Sequence, residues 1–232
     1  MSLAGEGVIA IWNDIAAEGR AQFYAWHGRE HMPERAGIAG FLRGRRYVAI
    51  HGEPEYFTLY ETIGPEVLSG TDYLNRLNNP TPWTRDSVRH FKNVSRSLCR
   101  VAASHGFGQG GLIATWRYDV SDGREEEQRK LLAHDILPRL ADEAGVAGAH
   151  LCIADRAASG IVTEEKKVRK DTTAVPGWVV MAEGWDDPEP FDRLCRQAIS
   201  IERLAAAGAA GPIAFGLYRL QYSRSKTARA AG

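Results

Sequence analysis

The stretch Gly7-Val-Ile-Ala-Ile-Trp12 returns 104 positions later as Gly111-Leu-Ile-Ala-Thr-Trp116, and this pair of stretches decides the fold. Each is a short apolar run behind a glycine, a pattern typical of a buried β-strand. The tryptophans that end the two runs occupy the same place in the repeat, which favours core packing for both. The chain opens twice in the same way, so we predict two diverged copies of one unit.

A helical stretch follows each strand, over residues 16–31 in the first copy and 125–136 in the second. The second stretch begins with three glutamates, which suit a helix N-terminus. Each stretch meets a proline, Pro33 or Pro138, and a helix is commonly kinked or ended just before a proline. We therefore expect each helix to end or bend there.

A glycine-rich corner follows each proline. Gly37-Ile-Ala-Gly40 is matched by Gly145-Val-Ala-Gly148, now 108 positions apart, so we infer three extra residues between proline and glycine in the second copy. Each copy then has a strand pair, a second helical region and a closing strand. In the second copy the long segment 155–176 separates the paired strands. It contains the charged run 164–170, and we expect a mobile loop there.

The order of elements is β-α-β-β-α-β, twice, which is the order of the ferredoxin-like unit. The sheet of such a unit has helices on one face only, and its other apolar face must be buried. A second copy is the natural cover. We therefore predict an α+β fold of two tandem ferredoxin-like units, residues 1–108 and 109–232, packed sheet to sheet as an α+β barrel.

Composition argues against several classes of protein. Lys+Arg and Asp+Glu both number 29, so the net charge is zero and no nucleic-acid partner is expected. No apolar run approaches the roughly 20 residues of a membrane helix, and residues 1–7 lack the features of a signal peptide. The three cysteines, Cys99, Cys152 and Cys195, are far apart and outside any Cys-x-x-Cys pair, which indicates small buried hydrophobes in a reducing, cytoplasmic compartment. The glycines at 106–111 precede a strand instead of joining a strand to a helix, so no nucleotide is expected and we predict no cofactor.

The densest functional signal is His27-Gly-Arg-Glu-His31. On a helix, Trp26, His27, Glu30 and His31 form one stripe together with Phe23. With the copies aligned on their prolines, branched apolar residues, Leu132 and Ile136, stand at the two histidine positions of the second copy. We therefore predict that these positions face the sheet, with a polar, open pocket in the first copy that the second copy has closed. The alternative is a pair of structural histidines bonded to carbonyls near the end of a helix.

The same stretch matches the His-x-x-Glu-His pattern of inverted zinc peptidases, in which two histidines bind zinc and the glutamate acts as a base. Pro33 follows His31 closely, and a third ligand is not marked in the sequence. A zinc hydrolase is therefore a minor alternative, and we predict no metal.

Further candidates lie outside the helix. Arg45 and Tyr47 alternate along a strand and so share a face with Phe41 and Arg43; they are candidates to bind a carboxylate or enolate, with a solvated edge as the alternative. The segment 78–84 contains two prolines and Trp83, which we consider both as a lid and as part of a surface turn. Two glutamates, Glu61 and Glu183, coincide in the repeat, which favours a shared structural role.

The motif residues Trp26-His-Gly-Arg-Glu-His-Met-Pro-Glu-Arg35, Gly37-Ile-Ala-Gly-Phe41 and Arg45-Arg-Tyr47 resemble the pattern of EthD-like proteins. The segment from Tyr73 to Thr84 resembles one in uncharacterised members of the same group. The chain is thus similar to the dimeric α+β barrel superfamily, which also includes antibiotic-biosynthesis monooxygenases and muconolactone isomerase-like enzymes. The superfamily hosts many chemistries, so the fold does not fix the function.

The resemblance implies a small-molecule enzyme of the EthD-like, monooxygenase or isomerase kind. His27 or His31, with Glu30, would act as general base on an organic substrate, and Trp26, Arg45, Tyr47 and Trp83 would bind it. The resemblance also implies either a homodimer or, because both units lie in one chain, a monomeric pseudo-dimer. A non-catalytic ligand-binding or assembly module of the same fold is the alternative.

Overall fold

The structure, a computed structural model, describes residues 2–169 and 173–226. Within these residues eight strands close into one antiparallel barrel. The strands are β1 (Gly7–Ile15), β2 (Phe41–Gly52), β3 (Tyr56–Thr62), β4 (Phe91–Gly106), β5 (Leu112–Val120), β6 (Val146–Ala154), β7 (Trp178–Gly184) and β8 (Ala209–Ser225). Their order around the barrel is β1-β3-β2-β8-β5-β7-β6-β4. The predicted α+β barrel is confirmed.

Each half of the chain supplies one continuous part of the barrel wall, in the orders β4-β1-β3-β2 and β6-β7-β5-β8. Ladders between β2 and β8 and between β4 and β6 join the halves. The two sheets therefore face each other across the interior and are also hydrogen-bonded along both of their edges. Closure of this kind removes the open strand edges on which another chain would add.

Helices cover the outer face of the wall. They are α1 (Arg20–Trp26), α2 (Met32–Gly37), α3 (Thr71–Asn78), α4 (Pro82–Val88), α5 (Glu125–Lys130), α6 (Leu137–Ala141), α7 (Arg156–Gly160), α8 (Glu164–Arg169), α9 (Pro188–Ala198) and α10 (Ile201–Ala206). A π-helical turn joins α1 to α2 (His27–His31) and α5 to α6 (Leu131–Ile136). None of the helices that the described residues form is long and apolar enough to cross a bilayer.

The helices do not end at the prolines. α2 and α6 continue through Pro33 and Pro138, and each proline comes soon after a π-helical turn. Proline lacks a backbone N–H, and its ring clashes with the carbonyl one turn earlier in a regular α-helix. The wider turn gives the ring room, so each helix bulges and continues.

The repeated strands are offset by one residue from the alignment that the sequence suggested. Gly7 pairs with Thr62 at the position where Leu112 pairs with Gly184, so the equivalent of Gly7 is Leu112. A one-residue shift moves every side chain to the other face of a strand. Accordingly, Trp12 lies in the barrel interior, whereas Trp116 packs outside, under the helices of the second half. Both are buried, as predicted, but they are not equivalent.

The glycine corners are separated by the same 105 residues as the equivalent strand positions, Gly7 and Leu112. Gly40 and Gly145 both have a positive φ, +84° and +87°. The carbonyl of Gly40 accepts a hydrogen bond from the N–H of Ile63, and that of Gly145 from the N–H of Trp185. These two glycines are therefore equivalent and lie 105 positions apart, like the prolines. The inferred insertion of three residues in the second copy is wrong.

An apolar core fills the barrel interior, and strands of both halves contribute to it. Cys99 and Cys152 lie in this core, and Cys195 lies in the core beneath the second-half helices. All three are buried free thiols, as predicted.

The segment 155–176 is not a loop over its described residues. α7 packs against β4, and α8 packs against α3 and α4, so this part of the second half covers the first half. Glu165 of α8 binds Arg35 of α2 at 2.6 Å, and both side chains are almost completely buried. The Oγ of Ser159 accepts from the N–H of Leu98 at 2.9 Å. The segment thus contains two helices that buried polar contacts attach to the barrel, where a loop was expected; its mobility stays a prediction, and residues 170–172 lie outside the described part.

The glycine corners provide a test of the corrected alignment. Gly40→Ala and Gly145→Ala should each lower the free energy of unfolding by about 1–2 kcal/mol, since a left-handed backbone is unfavourable for a residue with a Cβ. At Gly40 that Cβ would also lie 2.5 Å from a Val67 methyl carbon. The measurement is urea unfolding followed by circular dichroism.

Gly37→Ala is the matched control. Gly37 is the last residue of α2, and a Cβ there would contact nothing within 4 Å. Alanine should leave stability unchanged or raise it by less than about 1 kcal/mol. If Gly37→Ala cost as much as Gly145→Ala, the original alignment of Gly37 with Gly145 would stand.

Candidate functional site

The layer between the first-half helices and the barrel wall is polar. It contains five side chains that we call the interlayer cluster: His27 and His31 from the π-helical turn, Arg35 from α2, Arg46 from β2 and Tyr60 from β3. Each of them is at most 7% exposed. Polar groups at such depth are costly unless they have partners or a function.

The second half fills the equivalent layer with apolar side chains. The constant offset of the prolines aligns His27, His31 and Arg35 with Leu132, Ile136 and Leu140. The strand ladders align Arg46 with Leu151 and Tyr60 with Ala182, because Arg46 pairs with Thr58 where Leu151 pairs with Val180. These five residues belong to one apolar core. The sequence predicted the contrast at the two histidines. The contrast at Arg46 was missed because the glycine corners had been aligned three positions out of step, and those at Arg35 and Tyr60 were not predicted.

The π-helical turn brings the two imidazoles over each other. Their ring centroids are 5.3 Å apart with an interplanar angle of 25°. The Trp26 ring lies 4.3 Å from His31, and the Phe23 ring 5.0 Å from His27. Aromatic rings therefore surround the pair and exclude water from it.

The hydrogen bonds assign a protonation state to His27. Nη1 of Arg46 lies 3.1 Å from Nδ1 of His27. Because a guanidinium only donates, Nδ1 must accept, and His27 is then neutral with its proton on Nε2. Nε of the same arginine donates to Oε1 of Gln221 at 2.8 Å. By contrast, the buried Nδ1 of His31 and the buried hydroxyl of Tyr60 have no hydrogen-bond partner in the described part of the chain.

Burial lowers the pKa of His27 well below its ordinary value, and the positive charges of Arg46 and Arg35 lower it further. The pKa of His31 is lowered in the same way by burial, then by Arg35, His27 and Arg169. Burial raises the pKa of Tyr60. At neutral pH the cluster therefore holds two uncharged imidazoles and a protonated phenol, and His31 has a nitrogen available to accept a proton.

Glu30 and Trp26 face α4. The carboxylate of Glu30 accepts from Oγ1 of Thr81 at 2.6 Å and of Thr84 at 3.2 Å. Nε1 of Trp26 donates to Oγ1 of Thr84 at 3.1 Å. Glu30 is thus engaged away from the imidazoles, and in the described residues no three His, Cys, Asp or Glu side chains are grouped so as to hold a metal ion.

Arg45 and Tyr47 lie on the other face of β2, inside the barrel, so they do not join the histidines. Arg45 donates to both oxygens of Glu183, at 2.6 and 2.9 Å, and to Glu61 at 3.1 Å. Arg43 also binds Glu61, at 2.6 Å. We call this group, completed by His150 beside Glu183, the barrel network. A bulge at the start of β2 separates Phe41 from Arg43, so Phe41 lies outside, contrary to the expected shared face.

The barrel network is balanced in charge. Burial raises the pKa of Glu183, but attraction to Arg45 and the hydrogen bonds from His150 and Arg45 outweigh this effect and lower it to about 2. Two arginines therefore neutralise two glutamates, Glu61 and Glu183, in the interior, which matches the shared structural role predicted for this pair. Arg45 has no free donor direction toward the interlayer cluster, from which the barrel wall separates it.

Trp83 lies on α4, which begins after Thr81; the Thr81 hydroxyl accepts from the N–H of Thr84 at 3.0 Å. Trp83 is 36% exposed.

The predicted open pocket beside the histidines is not seen among the described residues, where both side chains are buried. Two larger cavities, of about 710 and 660 Å³, lie between α2 and α3 and beside α7, and neither His27 nor His31 lines them. The interlayer cluster is enclosed in this structure by the helices.

Comparison with solved structures identifies the same fold in other proteins. An anthrone oxidase-like protein matches with a TM-score of 0.67 at 12% identity, over 100% of this chain and 99% of its own. A candidate monooxygenase of Fusobacterium nucleatum matches with a TM-score of 0.60 at 12% identity, over 97% and 96%. One of Lactobacillus acidophilus matches with a TM-score of 0.57 at 9% identity, over 95% and 97%. No family model and no curated protein matches the sequence.

The chain therefore shares its fold with these proteins, and the resemblance stated from the sequence is confirmed at the level of the fold. At such low identity the likeness extends to the fold alone.

The buried neutral histidines predict a pH dependence of stability. In the unfolded chain a histidine binds a proton near pH 6.5, whereas in the fold burial suppresses this binding. As the pH falls below about 6.5 the unfolded state gains protons that the folded state does not, and the free energy of unfolding should fall by up to about 1.4 kcal/mol per pH unit for each such histidine. Urea unfolding at pH 7.5, 6.5 and 5.5 measures this slope.

His31→Ile should remove one histidine's share of that slope, because isoleucine occupies the equivalent buried position of the second half. His134→Ala, at an exposed site on the second-half π-helical turn, is the control and should leave the slope unchanged. An identical slope in His31→Ile and wild type would mean that His31 titrates in the fold as it does in the unfolded chain.

Proposed function

We propose that this protein is a small-molecule enzyme in which His31 acts as a general base on an acidic C–H or O–H of an organic substrate. The observation that carries the proposal is the contrast between the two halves: five buried positions are polar in the first and apolar in the second, and His31 keeps a buried nitrogen without a partner. If these positions served packing alone, apolar residues such as those at the equivalent positions of the second half would be sufficient.

The cluster supports a role for each member. His31 would accept the substrate proton, since it is uncharged near neutral pH and its buried Nδ1 has no partner in the described part of the chain. His27, oriented by Arg46, stacks on His31 and fixes its ring. Arg46 and the free hydroxyl of Tyr60 would stabilise the resulting oxyanion, the role that the sequence had suggested for Arg45 and Tyr47. Both come from the outer face of the wall, the face that the histidines contact.

The anthrone oxidase-like structure suggests a first probe. An anthrone has an acidic methylene group between two aromatic rings, and a base converts it to an aromatic enolate. The enolate reacts with O2, and the overall change is anthrone plus O2 to anthraquinone plus water. O2 is the oxidant, the methylene carbon is oxidised, and the base returns its proton at the end.

A non-catalytic ligand-binding module is the second candidate. It is favoured by the burial of His31, which lowers the pKa of this imidazole well below its ordinary value and so makes it a weaker base. Such a module would bind the same class of molecule without converting it.

We also propose that the two halves, residues 1–108 and 109–232, are tandem ferredoxin-like units that form a monomeric pseudo-dimer, and that the protein works in the cytoplasm without a bound cofactor. The constant 105-residue offset of prolines and corner glycines and the matching strand orders support the first part. The three free, buried cysteines support the location.

The test is oxygen uptake in the presence of 1,8-dihydroxyanthrone. Wild type should accelerate uptake, and His31→Ile should lose the acceleration by about 10²-fold or more, the usual contribution of a general base. His134→Ala should retain it. Circular dichroism and thermal melting check that each variant is folded.

Three results are informative. Equal acceleration by wild type and His31→Ile would disprove the assignment of the base. Thermal stabilisation of wild type by the anthrone without any uptake, lost in His31→Ile, would favour the binding module. Neither uptake nor stabilisation would exclude anthrones as the substrate class.

A further inference from the structure

Three buried arginines lie on three different elements of the first-half layer. They are Arg35 of α2, Arg96 of β4 and Arg169 of α8, and each is at most 9% exposed. Tyr73 lies between two of them: Nη2 of Arg96 donates to its hydroxyl at 2.7 Å, and the guanidinium of Arg35 lies 5.8 Å from the centroid of its ring. We call these three residues the arginine group.

Among the described residues, carboxylates do not balance this group. Glu165 binds Arg35 at 2.6 Å and precedes Arg169 by four residues on α8. Glu34 lies 3.5 Å from Arg35 but is shared with Arg76, at 3.0 Å. In the part of the chain that the structure describes, Arg96 and Arg169 form no ion pair, and Nε of Arg169 is buried without a hydrogen-bond partner. In the barrel network, by contrast, two glutamates neutralise the two arginines.

A buried cation without a counter-charge is costly. Burial lowers the pKa of Arg169, and repulsion from Arg96 and Arg35 adds to this despite the opposing effect of Glu165. Glu165 and Arg169 lie four residues apart on α8, and Glu165 binds Arg35, which follows His31 by four residues. An anion bound among the three arginines would relieve both repulsion and burial.

The positive charge is again confined to the first half. Arg96 pairs with Ile11 where Phe215 pairs with Trp116, so Phe215 is the equivalent of Arg96, and it contacts Trp116 at a centroid distance of 4.9 Å. Arg169 comes from segment 155–176, whose place in the first half is taken by the short connection between β2 and β3. The second half therefore contributes Arg169 to the first-half layer, whereas its own layer is apolar.

We infer that the interlayer site takes an organic substrate with an oxyanion group, a carboxylate or a phosphate, held by Arg96 and Arg169 beside His31. A planar guanidinium binds either group through two parallel hydrogen bonds, and the free Nε of Arg169 is one such donor. This inference deepens the proposed function and rests on it for the position of the reacting proton, but anion binding itself can be tested without turnover.

The experiment measures the binding of benzoate, phenyl phosphate and neutral benzamide to the full chain by thermal shift and isothermal calorimetry at constant ionic strength. Wild type should bind at least one of the two anions, and the tighter one identifies the group. Benzamide should bind at least about tenfold more weakly, because it lacks the charge-assisted hydrogen bonds. Equal binding of benzamide and both anions, or no anion binding, would overturn the inference.

Arg96→Met and Arg169→Met should each weaken anion binding about tenfold or more and should leave the melting temperature of the free protein unchanged or raised, since they remove an unneutralised buried charge. Arg139→Met, at a side chain that is 82% exposed on α6, is the matched control and should change neither. Strong destabilisation of the free protein by both variants, with anion affinity retained in the folded fraction, would show that the arginines are structural.

His31→Ile separates this inference from the proposed function. It should retain anion binding, because the guanidiniums remain, while losing turnover of the anthrone. Anion binding that depends on Arg96 and Arg169, in a protein that does not turn over the anthrone, would uphold the inference and exclude anthrones as the substrate class. Turnover of the anthrone by a protein whose anion binding does not depend on Arg96 and Arg169 would uphold the general base and overturn this inference.

Discussion

Closure of the wall is the constraint on which the structure depends. Once β2 pairs with β8 and β4 with β6, strand residues alternate between a closed interior and the outer face of the wall. The charged side chains of the barrel network are buried in that interior, and they neutralise one another there. The outer layers are not bound by this condition, because helices can shift over them, and it is there that the two halves differ.

The outer layers of the two halves differ in composition and therefore in what they contribute to the protein. The second-half layer is apolar from Leu132 to Ala182 and provides stability through burial. The first-half layer carries two imidazoles, a phenol and an excess of guanidiniums, all of which weaken packing unless a bound molecule completes them. Because the architecture is repeated, the first half can contain costly buried polar groups while the apolar layer of the second half stabilises the barrel. The segment 155–176 connects the two halves through the ion pair between Glu165 and Arg35.

The sequence was sufficient for the architecture because the order of elements survives errors of one or a few residues. It was not sufficient for the register. The likeness of the stretches that end in Trp12 and Trp116 is out of step with the ladder by one position, and that of Gly37 and Gly145 by three. Strand periodicity is two, so an error of one inverts the faces. For the same kind of reason Arg45 was chosen over its neighbour Arg46, although only Arg46 contacts the histidines. His27 and His31 were found because the helix carried its own marker, the proline.

The last strand has a consequence for how the protein comes into existence on the ribosome. Gln221 of β8 accepts a hydrogen bond from Nε of Arg46. The hydroxyl of Tyr222 donates at 3.1 Å to the carbonyl of Gly28 within the π-helical turn. These two contacts join residues that are 175 and 194 positions apart, so they form only after β8 has been synthesised. Sequence separation of this size makes folding slow. A chain without β8 would therefore leave the histidine turn without these two contacts.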